Sequence, residues 1–167
     1  ECDGSGNVAA FNAWLSNHGG STATDACGPL TWTHNSTGLS DLCGATGAET
    51  VTFTVTDGSG NFATTSATFT IEDTTAPTAL TQDITIQLDA SGAATITAAQ
   101  VDNTSVDACG GVSLSVSQTA FNCTHVGPNT VTLTVEDDCG NTSTADATVT
   151  VQDVTAPTAV AQNITIQ

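Results

Sequence analysis

Acidic and amide side chains recur at a constant interval in this sequence. Asp73 and Asp153 each stand shortly before an Ala-Pro, and the two positions are 80 residues apart (153 − 73 = 80). Because the chain has 17 acidic residues and neither Lys nor Arg, clustered carboxylates can be neutralised only by protons, a metal ion or another molecule. Calcium prefers about six to eight oxygen ligands from carboxylates, amides and carbonyls. The pattern therefore predicts at least one calcium site, with a solvated turn and a charged linker as the alternative.

The candidate ligands fall in two places in each repeat, an acidic hinge before Ala-Pro and the turn of the preceding hairpin. Because these places lie at opposite ends of a hairpin, we do not expect one ion to use both in the same repeat. We expect the hinge of one repeat to meet a loop of the next, such as the loop that contains Asp107. The candidate ligands are Glu72, Asp73, Asp153, Asp57, Asn61, Asp137, Asp138, Asn141 and Asp107.

These side chains belong to two copies of one motif. VTFTVTDGSGNFATTSATFTIEDTTAPT spans 51–78 and VTLTVEDDCGNTSTADATVTVQDVTAPT spans 131–158, again 80 residues apart (131 − 51 = 80). Each copy has an alternating apolar run, a turn of Asp, Gly and Asn, and a second alternating run, which is the pattern of a β-hairpin. Short strands at this turn spacing predict an all-β chain of tandem immunoglobulin-like β-sandwich domains stacked end to end.

The repeat also sets the expected domain boundaries. Residues 1–76 form repeat one, residues 77–156 form repeat two, and residues 157–167 are the first strand of a following repeat or a donor strand for a neighbour. In repeat one, apolar residues recur at helical spacing over 8–17, which predicts one short helix in the first domain. Trp14 on this helix belongs either to the core or, as the alternative, to an exposed sugar-binding platform.

Six cysteines favour an oxidising compartment. Aligning the repeats places Cys27 (TDACG) on Cys109 (VDACG), and Cys43 on Cys123. These shared positions predict two bridges within the repeats, Cys27–Cys43 and Cys109–Cys123. Cys2 and Cys139 are left over, and the sequence leaves open whether they are free, pair with each other or pair between molecules.

The repeat-two segment VDACGG…FNCTHVGPNTVTLTVEDDCGNTSTADATVTVQDVTAP resembles the hyalin-repeat modules of large secreted bacterial surface proteins, including gliding adhesins. The D-x-x-G-N turn together with the D-x-T-A-P hinge also resembles calcium-dependent repeats of adhesin stalks. The resemblance implies an extracellular filament or adhesin stalk rather than an enzyme. Asp73-Thr74-Thr75 resembles a bacterial O-glycosylation site at Thr74, with a bare hinge threonine as the alternative.

Charge and motif spacing exclude several functions. A net charge of −17 excludes binding to a phosphate backbone, which requires Lys or Arg, and no apolar run approaches the ~20 residues of a membrane helix. The three histidines lack the spacing of a catalytic triad or a metal site, so no catalytic residues are expected. The alternative to a structural role is a glycan-binding module, or an accessory module of a secreted surface protein or hydrolase.

The end of the sequence contains a second copy of the strand that opens repeat two. PTAVAQNITIQ (157–167) matches PTALTQDITIQ (77–87), with Val160, Ile164 and Ile166 at the positions of Leu80, Ile84 and Ile86. Repeat one has no such segment before its first turn, so we expect 157–167 to complete repeat one of an identical unit, head to tail. Separate chains joined by donor strands and one long polypeptide remain alternatives.

Overall fold

The computed structural model describes residue 2 and residues 6–40 and 42–166 of the chain. Within these ranges the secondary structure is mostly β, which confirms the all-β class. The helices are α1 (Val8–Ser16) and α2 (Ala98–Val101), with two short 3-10 turns at His18–Gly20 and Cys123–His125. The strands are β1 (Thr31–His34), β2 (Gly47–Thr56), β3 (Phe62–Ile71), β4 (Ile84–Gln87), β5 (Ala93–Thr95), β6 (Val112–Val116), β7 (Ala120–Asn122), β8 (Gly127–Asp137) and β9 (Thr142–Gln152).

The first sheet has the strand order β1-β2-β3, and its neighbouring strands are antiparallel. Val51 and Phe53 on β2 are fully buried because alternate residues of a strand point to the same face. The hairpin turn between β2 and β3 is the predicted one, and Asp57 Oδ1 accepts the backbone N–H groups of Ser59 and Asn61. Gly60 in this turn has φ of +87°, a conformation that glycine adopts without strain.

Helix α1 covers the apolar face of this sheet. The ring of Trp14 lies 5.5 Å from that of Phe53 and 5.4 Å from that of Phe69, and Phe11 is buried beside it. The predicted helix is therefore confirmed, and it ends one residue earlier than expected, at Ser16. Such aromatic pairs add about 0.5–1.5 kcal/mol each beyond the area that they bury. Trp14 thus lies in an aromatic cluster, as the core interpretation predicts.

The second sheet has the order β4-β9-β8-β6. Its core consists of fully or almost fully buried residues that alternate along β8 and β9, namely Val131, Leu133, Val135, Val149 and Val151. Strand β4 pairs in parallel with β9, with Ile84 opposite Val149 and Ile86 opposite Val151. Strands β5 and β7 form a separate antiparallel pair.

The chain divides into two compact units. The first comprises Glu1–Thr78, Val106–Ser113 and Val135–Ser143, and the second comprises Ala79–Ser105, Leu114–Thr134 and Thr144–Gln167. Two loops of repeat two thus belong to the same compact unit as most of repeat one. The boundaries 1–76 and 77–156 describe the sequence repeat and stay a prediction for the domains.

The disulfides differ from the predicted ones. Cys2 pairs with Cys109 and Cys43 pairs with Cys139, with Cα–Cα distances of 5.8 and 5.1 Å. Cys27 and Cys123 are free thiols and are exposed. The predicted bridges Cys27–Cys43 and Cys109–Cys123 were therefore wrong. The physical reason is that loops of repeat two pack on repeat-one residues within the first unit, which brings cysteines from distant parts of the sequence within bridging distance.

Candidate metal centre

Asp73 supplies one carboxylate of an acidic cluster in the first unit. It lies on the hinge shortly after β3 ends, and its Oδ1 accepts a hydrogen bond from the Thr75 backbone N–H at 3.1 Å. Its Oδ2 is buried and has no hydrogen-bond partner among the described residues. A buried carboxylate oxygen without a donor is costly, and a bound cation would remove that cost.

Asp137 supplies a second carboxylate from the end of β8. It is 6% exposed, and its Oδ1 accepts the backbone N–H groups of Cys139 and Asn141 at 2.8 and 2.9 Å. Its Oδ2 accepts the Asn141 side-chain amide at 2.9 Å. Burial raises the pKa of Asp137, but these hydrogen bonds outweigh burial and lower the pKa below its ordinary value. The carboxylate is therefore ionised at neutral pH although it is buried.

Asp107 supplies the third carboxylate, and its Oδ2 accepts the Cys109 backbone N–H at 2.6 Å. Carboxylate oxygens of Asp73 and Asp107 lie within 4.8 Å of each other, and so do those of Asp73 and Asp137. The Asn141 side-chain amide also donates to the Asp73 carbonyl oxygen at 3.2 Å. The hinge of repeat one, a loop of repeat two and the second hairpin turn therefore meet at Asp73.

The donor set of this cluster is oxygen-rich. The sulfur atoms of Cys109 and Cys139 lie in the same groups, but both are in disulfides and cannot ligate a metal as thiolates. At 4.8 Å, two carboxylates repel by about 3 kcal/mol at an effective dielectric constant of ~20. The chain has no Lys or Arg to offset this repulsion. Oxygen ligands of this kind suit a hard cation such as Ca²⁺ better than Zn²⁺.

The other predicted ligands are placed elsewhere. Asp138 is exposed, and its Oδ2 accepts the Gly111 backbone N–H at 2.8 Å. Asn61 donates its side-chain amide to Asp57 Oδ2 at 2.7 Å, inside the first hairpin turn. Glu72 and Asp153 are exposed. None of these residues falls in the carboxylate and cysteine groups found within the described ranges.

The remaining predicted sites lie on the surface. Thr74 is exposed on the hinge. Val160, Ile164 and Ile166 are 90, 82 and 90% exposed, and no strand forms over the described part of 157–166. The segment is not folded back on its own chain as a strand.

Sequence reasoning overlooked Asp25, which corresponds to Asp107. Asp25 Oδ1 accepts the Cys27 backbone N–H at 2.6 Å, as Asp107 Oδ2 accepts that of Cys109. The match between TDACG and VDACG was the signal that could have identified it. Asp25 lines an open groove of about 240 Å³ together with Asp57 and Asn61.

Comparison of the chain with profiles of known protein families and with curated protein sequences gives no match. In the described ranges, no helix has the length and apolar character needed to cross a membrane.

Proposed function

We propose that this chain is a structural repeat unit of an extracellular filament or adhesin stalk, built from tandem immunoglobulin-like domains that assemble head to tail. The observation that carries the proposal is the parallel pairing of β4 with β9. Elsewhere the chain has a copy of β4, the segment 157–166, and an edge strand equivalent to β9, namely β3.

The segment 157–166 has the residues that β4 uses. In β4, Ile84 and Ile86 are half-buried while Thr85 between them is exposed, so one side of the strand packs inward. The corresponding Ile164 and Ile166 have the same alternation about Thr165, and both are more than four-fifths exposed. When a strand with an exposed apolar side binds a sheet edge, burial of that side lowers the free energy.

Strand β3 provides that edge. It is the outer strand of the first sheet, and no described residue pairs with its far side. The equivalent edge of β9 is paired with β4, and residues of β9 are accordingly more buried than the matching residues of β3. Ala147 and Val149 are 3 and 0% exposed, whereas the matching Ala67 and Phe69 are only half-buried. The β4–β9 register therefore transfers to Ile164 opposite Phe69 and Ile166 opposite Ile71 of another copy.

We also propose that Ca²⁺ binds at Asp73, Asp107 and Asp137 and stiffens the first unit. Support comes from the buried Asp73 oxygen without a donor and from the ionised, buried Asp137. An ion there would hold the hinge to the two loops that now meet it only through hydrogen bonds and disulfides. The extracellular location is supported by the two disulfides, which persist in oxidising compartments.

Assembly of the purified chain tests the proposal. We expect the wild-type mass to rise with concentration above the chain mass of 16.6 kDa, as measured by light scattering and electron microscopy. Ile164→Asn with Ile166→Asn should keep the protein at the monomer mass, because both inward residues become polar. Thr165→Asn is the matched control and should assemble, since this position faces outward. Normal assembly of the double variant would overturn the proposal.

A denaturing gel of reduced filaments from the native source separates the two forms of the proposal. A band near the chain mass of 16.6 kDa means separate chains joined by donor strands. A very large band means one polypeptide in which the same strand continues into the next repeat.

A further inference from the structure

The two free cysteines, Cys27 and Cys123, are exposed, whereas the other four cysteines form disulfides. In the repeat, Cys27 corresponds to the bridged Cys109, and Cys123 corresponds to the bridged Cys43. Each free thiol thus occupies a position that is covered and bonded in the other copy of the motif.

The first unit shows what covers these positions. The backbone N–H of Ala45 donates to the carbonyl oxygen of Cys109 at 2.6 Å, so the loop after Cys43 lies directly against the loop that holds Cys109. The Cys139 sulfur lies 3.4 Å from the Cys43 carbonyl oxygen, which places the second hairpin turn at the same point. The loop that contains Cys43 therefore contacts both the loop that contains Cys109 and the hairpin turn that contains Cys139.

The equivalents of these loops at Cys27 and Cys123 have no such packing partners among the described residues. The Asx hydrogen bonds match, since Asp153 Oδ1 accepts the Thr155 N–H at 2.9 Å as Asp73 accepts that of Thr75. The burial does not match. Cys109 is 5% exposed and Pro77 is buried, whereas Cys27 and Pro157 are exposed.

Two open grooves mark these uncovered surfaces. One, of about 450 Å³, is lined by Cys123, Asp153 and the turn 89–92, which correspond in sequence to Cys43, Asp73 and positions 3–6. The other is lined by Asp25, Asp57 and Asn61, which correspond to Asp107, Asp137 and Asn141. The first groove therefore has the counterparts of the Cys43 loop and the Asp73 hinge. The second has the counterparts of the loop and hairpin turn that pack against them in the first unit.

We propose that consecutive copies repeat this packing and that Cys123 of one copy forms a disulfide with Cys27 of the next, an inference that rests on the head-to-tail assembly proposed above. The usual partners are absent at this contact. Ser59 stands at the position of Cys139, and the buried Leu88 stands at that of Cys2. Cys123 and Cys27 are therefore the thiols available at this contact.

One local difference changes the detail of the contact. A Cβ on Gly44, which has φ of +54°, would overlap the Cys109 carbonyl oxygen. Thr124 stands at this position in repeat two. The loop at Cys123 therefore cannot approach the incoming loop as closely as the Cys43 loop approaches Cys109, so the contact between copies repeats the first-unit packing with a wider spacing.

The bond forms by thiol–disulfide exchange with a small-molecule disulfide such as oxidised glutathione. The thiolate of one cysteine attacks the oxidant and forms a mixed disulfide, and the second thiolate displaces the remaining small-molecule thiol. Two protein thiols lose two protons and two electrons in total, and one small-molecule disulfide becomes two thiols.

Complementary variants test the inference. Wild-type assemblies oxidised with oxidised glutathione should give a ladder at multiples of 16.6 kDa on a non-reducing denaturing gel. Cys27→Ser alone and Cys123→Ser alone should each give monomer only. An equal mixture of the two variants should give a covalent dimer and nothing larger, because each chain keeps one free thiol and the dimer uses both.

The outcomes separate this inference from the proposed function. Assembly seen by light scattering without any ladder overturns the disulfide and leaves head-to-tail assembly intact. A covalent dimer from either single variant alone overturns the Cys123–Cys27 pairing, because it shows a bond between like positions. The absence of both assembly and ladder overturns both.

Discussion

A carboxylate oxygen of Asp73 lies within 4.8 Å of one from Asp107, although the first residue closes one sequence repeat and the second belongs to the next. The hinge of repeat one therefore lies beside a loop of repeat two within the first unit. Two carboxylates are thus close together in a chain that has no Lys or Arg to neutralise them. The predictions begin from this relationship.

The first prediction is that Ca²⁺ stabilises the protein through this cluster. Binding to the folded state at 100 times Kd adds about 2.7 kcal/mol, which is roughly 5–10 °C in melting temperature for a chain of this size. Asp107→Asn should lose most of this gain, because it removes a charged ligand and keeps the Cys109 N–H acceptor. The melting temperature is measured in millimolar calcium and in EGTA.

Asp25→Asn is the matched control for that measurement in dilute, unassembled protein. It changes an exposed aspartate in the equivalent Asx turn of repeat one, which lies outside the cluster. Equal melting temperatures of the wild type in calcium and in EGTA would exclude this calcium site.

The second prediction concerns the disulfide between Cys43 and Cys139. These residues are separated by 96 positions, and a bridge across a loop of that length restricts the unfolded chain by about 3–5 kcal/mol. Cys43→Ser with Cys139→Ser should lower the free energy of unfolding in urea by that amount. Cys27→Ser with Cys123→Ser should leave it nearly unchanged in the monomer, because neither residue is bridged there.

A peptide map checks the same pairing directly. Trypsin cannot be used because the chain has no Lys or Arg, so a protease that cleaves beside acidic residues is needed. Under non-reducing conditions, Cys27 and Cys123 of the monomer should react with iodoacetamide, while the other four cysteines stay bridged. Recovery of a Cys27–Cys43 peptide would contradict the structure.

The third prediction is a pH dependence at Glu49 on β2. Burial raises the pKa of Glu49, but hydrogen bonds from Ser36, Thr37 and Gly38 outweigh it and lower the pKa. Because the folded pKa is below the unfolded value, the stabilisation is present above about pH 4.3 and is lost as the pH falls through the folded pKa. Glu49→Gln should cost roughly 1–2 kcal/mol at pH 7 and progressively less below about pH 4.

The control for Glu49 is Glu136→Gln, which removes an equal charge from an exposed position on β8. Urea unfolding at pH 7 and at pH 3 gives the comparison for both variants. A cost of Glu49→Gln that stays constant between these pH values would show that the carboxylate charge is not what stabilises the 36–38 loop.

The fourth prediction compares Phe53 on β2 with Phe62 on β3, which lie three register positions apart near the turn of the same hairpin. Phe53 is 0% exposed and contacts Trp14, whereas Phe62 is 72% exposed. Phe53→Ala should lower the free energy of unfolding by about 3–5 kcal/mol, and Phe62→Ala should change it by less than about 0.5 kcal/mol. Similar losses for both variants would mean that α1 does not cover the sheet as described.

Local sequence was sufficient for the hairpins, their turns and helix α1. Each depends on a period of apolar residues or on a turn of Asp, Gly and Asn within about ten residues, and such patterns fix backbone conformation locally. The match between repeats also identified the exposed segment around Ile164 as a copy of β4.

The partners of the cysteines depended on tertiary structure, whereas the meeting of the Asp73 hinge with the Asp107 loop was expected from the order of the repeats. The spacing within each repeat suggested Cys27–Cys43, but a disulfide forms between whichever cysteines the folded loops bring together. The structure brings Cys43 to Cys139 and Asp73 to Asp107, both across large sequence separations. The alignment of the repeats contains no information on which cysteines of distant loops pair.

Strand β4 and segment 157–166 illustrate the same division. Their sequences are nearly identical, yet Ile84 is half-buried beside Val149 and Ile164 is 82% exposed. The sequence determined that both segments can form an edge strand with one apolar side. Only the tertiary structure decided that β4 has an edge to bind, because a strand needs the hydrogen-bonding groups of a neighbouring strand as well as its own sequence.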